Sequence, residues 1–91
     1  MSRLDAAAVA HALRQTPGWE HAGAEIRRTY RFGNFREALA FVNRVGELAE
    51  RAGHHPDIDI RYNAVTLALT THDAGGLSAR DLELARAIDA G

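Results

Sequence analysis

Apolar positions recur along this chain with two periods, and the switches between those periods divide it into seven elements. From Ser2 to Gln15, Leu4, Ala8 and Ala12, with Val9 and Leu13, fall on one side at three- and four-residue steps, which predicts an amphipathic helix. Ser2 is expected to cap it, with Asp5 three residues on resembling a short capping box, and Thr16-Pro17-Gly18 to end it. Trp19 to Ala22 reads as a short strand and Gly23 as a turn. Glu25 to Phe32 alternates: Ile26, Tyr30 and Phe32, with Arg28, face one way, and Arg27, Thr29 and Arg31 the other. Two strands so closely joined predict an antiparallel hairpin, with Trp19 a core or cleft-edge residue.

The period then returns to that of a helix. Asn34 is a good cap, and Glu37 stands where its carboxylate reaches back to the cap. Phe35, Ala38, Leu39, Val42, Val45, Ala49 and Ala52 form one stripe along the longest element, which Gly53 is expected to terminate. Phe41 and Leu48 lie off that stripe and suggest a second apolar face for a partner subunit. After Pro56, Asp57 to Tyr62 alternates strictly, with Ile58, Ile60 and Tyr62 on one face and Asp57, Asp59 and Arg61 on the other. Asn63 turns the chain into a strand from Val65 to Thr71, with Val65, Leu67 and Leu69 inward and Thr66, Ala68, Thr70 and His72 on the opposite face. Gly75-Gly76 is a loop. Ser78 then caps the last helix with Asp81 completing a capping box, and Leu77 packs on Leu82 as a staple. Leu82, Ala85 and Ile88 continue its buried stripe.

The order α-β-β-α-β-β-α predicts an α+β fold: one domain, residues 1–91, with a four-stranded antiparallel sheet and three helices on one face. The other face is polar or paired with another subunit. Ninety-one residues leave no room for a second domain. A chain this short buries only roughly 60–65% of its unfolded surface. With no cysteine it has neither a disulfide nor a thiolate zinc site to staple it, so oligomerisation is the remaining common support. A formal charge of -1 provides no global basic field and argues against a dedicated nucleic-acid binder. No apolar run approaches the ~18–20 residues of a membrane span, and the first residues lack the regions of a signal peptide, so the expected location is cytoplasmic.

Three of the five histidines lie at element ends: His54 and His55 after the long helix, and His72 where the last strand gives out. Imidazoles titrate near neutral pH, so gathering three of them is a way to build acid–base chemistry. Adjacent histidines on non-helical backbone diverge, so one can enter a pocket while the other lines its wall. The same residues also occur on solvated loops, and His11 and His21 are read as structural or solvated. A metal site is the first rival, with Asp57, Asp73 and Asp81 as carboxylates, but no helical ligand spacing such as H-E-x-x-H supports it. Without cysteine, and with Ser78 explained as a cap, nucleophilic catalysis has little support. No phosphate-binding glycine pattern exists. Arg27, Arg28 and Arg31 form a basic patch without aromatics to stack bases, read as a solvated sheet face. Glu50, four residues before His54, reads on its own as a surface helix residue. Asp81 reads as a helix cap, and a capping carboxylate at the positive end of a helix can also serve catalysis.

Taken together, Glu50, His54-His55-Pro56, Tyr62-Asn63, Thr71-His72 and Gly76-Leu77-Ser78-Ala79-Arg80-Asp81, with Gly18-Trp19, resemble the pattern of the pterin-4a-carbinolamine dehydratase family over nearly the whole chain. The resemblance implies the fold derived above and dehydration of 4a-hydroxytetrahydropterin, as in 4a-hydroxytetrahydrobiopterin dehydratases, to quinonoid dihydropterin and water. That reaction recycles the pterin of aromatic amino-acid hydroxylases. It further implies a homodimer or homotetramer, with no metal and no cofactor, the pterin being the substrate. Catalytic residues implied are His54, His55, His72 and Asp81: His54 and His72 as the acid–base pair, His55 orienting the ring, and Asp81 orienting an imidazole. Substrate-binding residues implied are Glu50, His54, His55, Pro56, Thr71, His72, Asp73 and Ala74. The chain departs from the animal enzymes in carrying Asp57-Ile58-Asp59 where they have an aromatic residue, which bears on the shape of the pocket. The alternative is a non-enzymatic dehydratase-like binding or assembly factor of the type that assists Rubisco assembly. Such relatives tend to lose the three histidines kept here.

Overall fold

The computed structural model describes residues 2–91. In chain order the elements are α1 (Ala6–Arg14), β1 (Glu20–Ala22), β2 (Glu25–Arg31), α2 (Phe35–Ala52), β3 (Asp57–Arg61), β4 (Ala64–Leu69), a 3-10 turn (His72–Ala74) and α3 (Ala79–Ala90). The four strands pair antiparallel in the order β1-β2-β4-β3. The α+β fold with three helices and a four-stranded antiparallel sheet is therefore as the sequence pattern predicts. β4 lies inside the sheet, and alternation puts its Val65, Leu67 and Leu69 on one face, fully buried. They join Ile26 of β2 and Val9, Val45, Leu82, Ala85 and Ile88 of the helices in one core. On the opposite face the hydroxyls of Thr29 and Thr66, paired in register, hydrogen-bond at 2.8 Å.

Four details differ from the sequence pattern. α1 begins at Ala6, capped by Asp5, whose carboxylate accepts from Ala8 N–H at 2.8 Å. The segment before it stays non-helical where Leu4 N–H donates to Leu77 O (2.7 Å), tying the N-terminal end to the loop before α3.

The buried face of α2 is centred on Ala38, Phe41, Val45 and Ala49, while Phe35 and Leu39 are exposed. Apolar residues cover more than half the circumference of this helix, and the sheet selects the side. Phe41 packs on Tyr30 and Phe32, ring centroids 4.5 and 5.0 Å away.

Ile58 and Ile60 share the face of their partners Leu67 and Val65, yet both keep more than a third of their surface exposed because β3 is an edge strand. Tyr62 does not continue that face. It occupies the hairpin turn at φ 53°, a left-handed conformation uncommon for a bulky residue, and is 65% exposed. The turn is fixed by its neighbour, since Asn63 exchanges hydrogen bonds with the Phe32 main chain.

Arg28 is not part of a solvated patch with Arg27 and Arg31: it keeps the face of Ile26 and Tyr30 that alternation predicts, pairs with Asp89 of α3 and lies 4.6 Å from the centre of the Tyr30 ring.

No helix among the described residues is long and apolar enough to cross a membrane.

Candidate active site

The long helix ends where glycine allows it to. Gly53 takes φ 61°, and its N–H and that of His54 return to the carbonyls of Glu50 and Ala49. From this sharp exit the two histidine side chains part. His54 turns inward and is 8% exposed, its Nε2 lying 2.5 Å from Asp81 Oδ1. His55 turns to solvent, its Nε2 lying 2.5 Å from Glu50 Oε2 with both side chains more than half exposed.

Asp81 is where it is because the first turn of α3 demands a cap. Ser78 N–H donates to Asp81 Oδ2 (2.9 Å), closing the capping box on one side, and the carboxylate has no exposed surface. A buried carboxylate is tolerated only when its oxygens are satisfied. Here Oδ1 meets His54, and Oδ2 accepts from Ser78 N–H and from the Thr71 hydroxyl (2.8 Å). No buried side-chain nitrogen or oxygen among the described residues lacks a partner.

β4 gives out after Leu69, and Thr71 forms a single bridge with Gly76 that closes the loop carrying His72, Asp73 and Ala74. His72 therefore sits on a 3-10 turn and not on a strand. Thr71 is buried, its hydroxyl is engaged by Asp81 and Ser78, and its main chain pairs with Gly76 in both directions.

These two ends of the chain enclose a cavity of about 270 Å³ lined by Gly53, His54, His55, Thr70, Thr71, His72, Asp73 and Arg80. That is near the lower end, roughly 300 Å³, of small-molecule pockets. Its three imidazoles come from two segments 17 or more positions apart in sequence, which only the fold brings together. A larger, apolar-lined hollow of about 440 Å³ between α2 and α3 shares His54 and Arg80 but holds no other histidine. The smaller cavity is the one that gathers all three imidazoles.

Of the residues singled out in the sequence, His54, His55, Thr71, His72 and Asp73 line this cavity, and Asp81 stands behind His54. Glu50 reaches the site through His55, Pro56 follows the histidines on the chain, and Ala74 ends the turn that begins at His72. Among the described residues no three histidines or carboxylates are grouped as metal ligands would be.

Arg80 is the residue that sequence reasoning missed as a site residue. It lines the cavity, and its Nη2 donates to Gly53 O (2.7 Å) and to Ala52 O (3.4 Å), closing the exposed C-terminus of α2 beneath the two histidines. The signal was its place in the first turn of α3, where a cation opposes the helix dipole unless it serves something else.

Comparison with known proteins follows the same lines. The family described as Pterin 4 alpha carbinolamine dehydratase matches residues 2–91. A protein of Thermomicrobium roseum named "Putative pterin-4-alpha-carbinolamine dehydratase" is 62% identical over 88 residues, covering 97% of this chain and 95% of that one. A protein of the same name from Chloroflexus aurantiacus is 61% identical over 89 residues, covering 98% and 96%. Among solved structures, a transcriptional coactivator/pterin dehydratase from Brucella melitensis superposes with a TM-score of 0.93 at 32% identity, over 98% of this chain and 97% of that one. A pterin dehydratase-like protein identified as a RuBisCO assembly factor in the alpha-carboxysome superposes with a TM-score of 0.65 at 20% identity, over 79% and 83%, a likeness of fold alone.

Proposed function

The chain belongs to the pterin 4 alpha carbinolamine dehydratase family, and from that premise we propose that it is a 4a-hydroxytetrahydrobiopterin dehydratase, a hydro-lyase acting by general acid–base catalysis. The observation that carries this reading is the single cavity in which His54, His55 and His72 meet. In the reaction the C4a–O bond breaks and the hydroxyl leaves as water after taking a proton. The N5 proton is removed, and its bonding pair forms the C4a=N5 double bond of quinonoid dihydropterin. One acid and one base are needed on neighbouring atoms. Positioned imidazoles supply each, typically at about 10²–10⁴-fold per step.

His54 and His72 are the acid–base pair in this reading. His54 is the more constrained of the two, its ring held by Asp81, while His72 is exposed on its turn. His55, held by Glu50, orients the ring, with Pro56 shaping the approach. Thr71 and Asp73 line the cavity, and with Ala74, which ends the same turn, they present polar groups to the pterin edge in this reading. The product then returns to tetrahydropterin in the cytoplasm, serving an aromatic amino-acid hydroxylase.

The same reading includes a homodimer or homotetramer. The unpaired edge of β3 and the exposed Phe35, Leu39, Ile58 and Ile60 support it, since an open edge beside apolar surface is what a second copy covers.

The test is the ultraviolet time course of 4a-hydroxytetrahydropterin breakdown in chelator, with wild type and His54→Ala. Acceleration by wild type that the variant loses is the expected result. No acceleration by a folded wild type sinks the reading and points to a protein-binding role instead.

A further inference from the structure

The hydrogen bonds behind His54 restrict the order of protons. Arg80 N–H donates to Ser78 Oγ (3.3 Å), and Ser78 N–H to Asp81 Oδ2 (2.9 Å). The Thr71 hydroxyl lies 2.8 Å from both Ser78 Oγ and Asp81 Oδ2. Each hydroxyl has one proton to give. If Thr71 gives its proton to Asp81, Ser78 gives its own to Thr71 Oγ1, and both protons end on acceptors. The reverse order gives Asp81 a proton and leaves that of Ser78, a residue with no exposed surface, without an acceptor among the described contacts. An unmet donor of this kind is costly in a buried cluster. The order that satisfies both hydroxyls therefore makes Oδ2 of Asp81 an acceptor only. Of a carboxylic acid and an imidazolium the imidazolium is the weaker acid, so a proton between Oδ1 and His54 rests on the imidazole Nε2 and Oδ1 accepts as well.

We propose that Thr71 and Ser78 are positioning residues for the dehydration: their hydroxyls, donating in series, keep Oδ2 of Asp81 an acceptor and so let Oδ1 fix His54 with its proton on Nε2, leaving Nδ1 as the nitrogen that exchanges a proton with the substrate. This rests on the dehydratase reading for its consequence in turnover, and on the geometry alone for its consequence in the imidazole. It also explains why a threonine at the cavity wall spends its hydroxyl inward. Neither hydroxyl touches a bound pterin; both act through Asp81.

Thr71→Val keeps the shape of the side chain and removes its donor. The expected result is a fall in kcat of about tenfold or more, with KM within about twofold of wild type. In nitrogen-15 spectra of the neutral imidazoles, His54 is expected as a single Nε2–H form in wild type and as a mixture of tautomers in the variant. Thr71→Ser, which restores the hydroxyl, is expected to recover both. Should Thr71→Val not fold, Ser78→Gly carries the same measurements, because glycine also suits a helix N-cap while lacking the hydroxyl. A folded variant with wild-type kcat and an unchanged tautomer overturns the inference. So does a raised KM at constant kcat, which makes Thr71 a direct substrate contact. So, too, does a wild-type His54 without the single Nε2–H form. The spectra need no substrate, so an inactive wild type overturns the dehydratase reading while they still decide whether the hydroxyls hold His54.

Discussion

α3 carries a carboxylate near each end, and each of the two accepts from three donors. Asp81, in the first turn, takes His54 Nε2, the Thr71 hydroxyl and Ser78 N–H. Asp89, in the last turn, takes Trp19 Nε1, Arg28 Nη1 and the Tyr30 hydroxyl. The helix dipole favours an anion at the first position and disfavours one at the second, so Asp89 depends on its donors more than on its place. The donors decide what each end is for. Trp19, Arg28 and Tyr30 bind the helix to β2 and the segment before β1, and none of them lines the histidine cavity. Among the donors of Asp81 is an imidazole with a second nitrogen, in a residue that lines the cavity, so a structural cap becomes part of a site. An equal count of hydrogen bonds thus serves the fold at one end of the helix and, in the dehydratase reading, chemistry at the other.

The largest effect is expected from breaking the buried end. Asp81→Asn turns one of two accepting oxygens into a donor that faces donors, and each buried donor left unmet costs about 1–3 kcal/mol. Urea denaturation measures that loss. Dehydratase turnover in the fraction that remains folded is expected to fall about 100-fold or more, because His54 loses the group that orients it. Asp89→Asn is the matched change at the other end. It is expected to cost about 1–3 kcal/mol, as hydrogen bonds to a charged group do, with turnover of the folded protein unchanged. Equal losses of turnover in the two variants would remove the distinction between the ends.

Glu50→Gln sharpens the comparison from outside. Its pair with His55 has the same atoms and spacing as the buried pair, but the side chains are 76% and 63% exposed. An exposed pair contributes about 0–1 kcal/mol, so the stability change is expected to fall within that range and to shrink with added salt. A loss of kcat/KM smaller than that of Asp81→Asn is the expected kinetic result, since solvent replaces Glu50 at His55 and cannot replace Asp81 at His54. Measuring both variants in the pterin assay at low and high salt checks this.

The two ends also differ in how legible they were. The link between Ser78 and Asp81 is local, three residues within one helix start, and the sequence pattern shows it directly. His54 and His55 stand out beside Pro56 for the same reason. The donors of Asp89 lie 59 to 70 positions away, so no local pattern pointed to that residue. Arg80 was passed over because its partners are main-chain carbonyls, which every residue carries and no sequence marks. On α2 the apolar residues were visible but their buried side was not. With Phe35 and Leu39 as apolar as Phe41, only packing against Tyr30 and Phe32 decides between them. His72 was placed at the end of a strand, whereas the bridge from Thr71 to Gly76 turns it onto a 3-10 turn instead.

The last expected effect, the one furthest from turnover, concerns Tyr30, and its pH dependence appears only in alkali. Its hydroxyl donates to Asp89 Oδ1 at 2.5 Å. Burial, with the hydrogen bond and charge of Asp89, pushes the phenol well above its ordinary value, against the opposing pull of Arg28 and Arg44. The native protein therefore keeps this proton at a pH where the unfolded chain, with tyrosines near 10, gives it up. The native state then binds more protons than the unfolded one, and stability falls as pH rises. The contribution is intact below about pH 10 and is lost progressively above it. Tyr30→Phe is expected to cost about 1 kcal/mol at neutral pH, for the hydrogen bond, and to flatten the decline above pH 10. Urea midpoints at about pH 8 and about pH 11 for the two proteins measure the difference in slope. If the phenylalanine variant loses stability in alkali as steeply as wild type, the Asp89 end does not depend on the phenol. The weight of that end would then rest on Trp19 and Arg28.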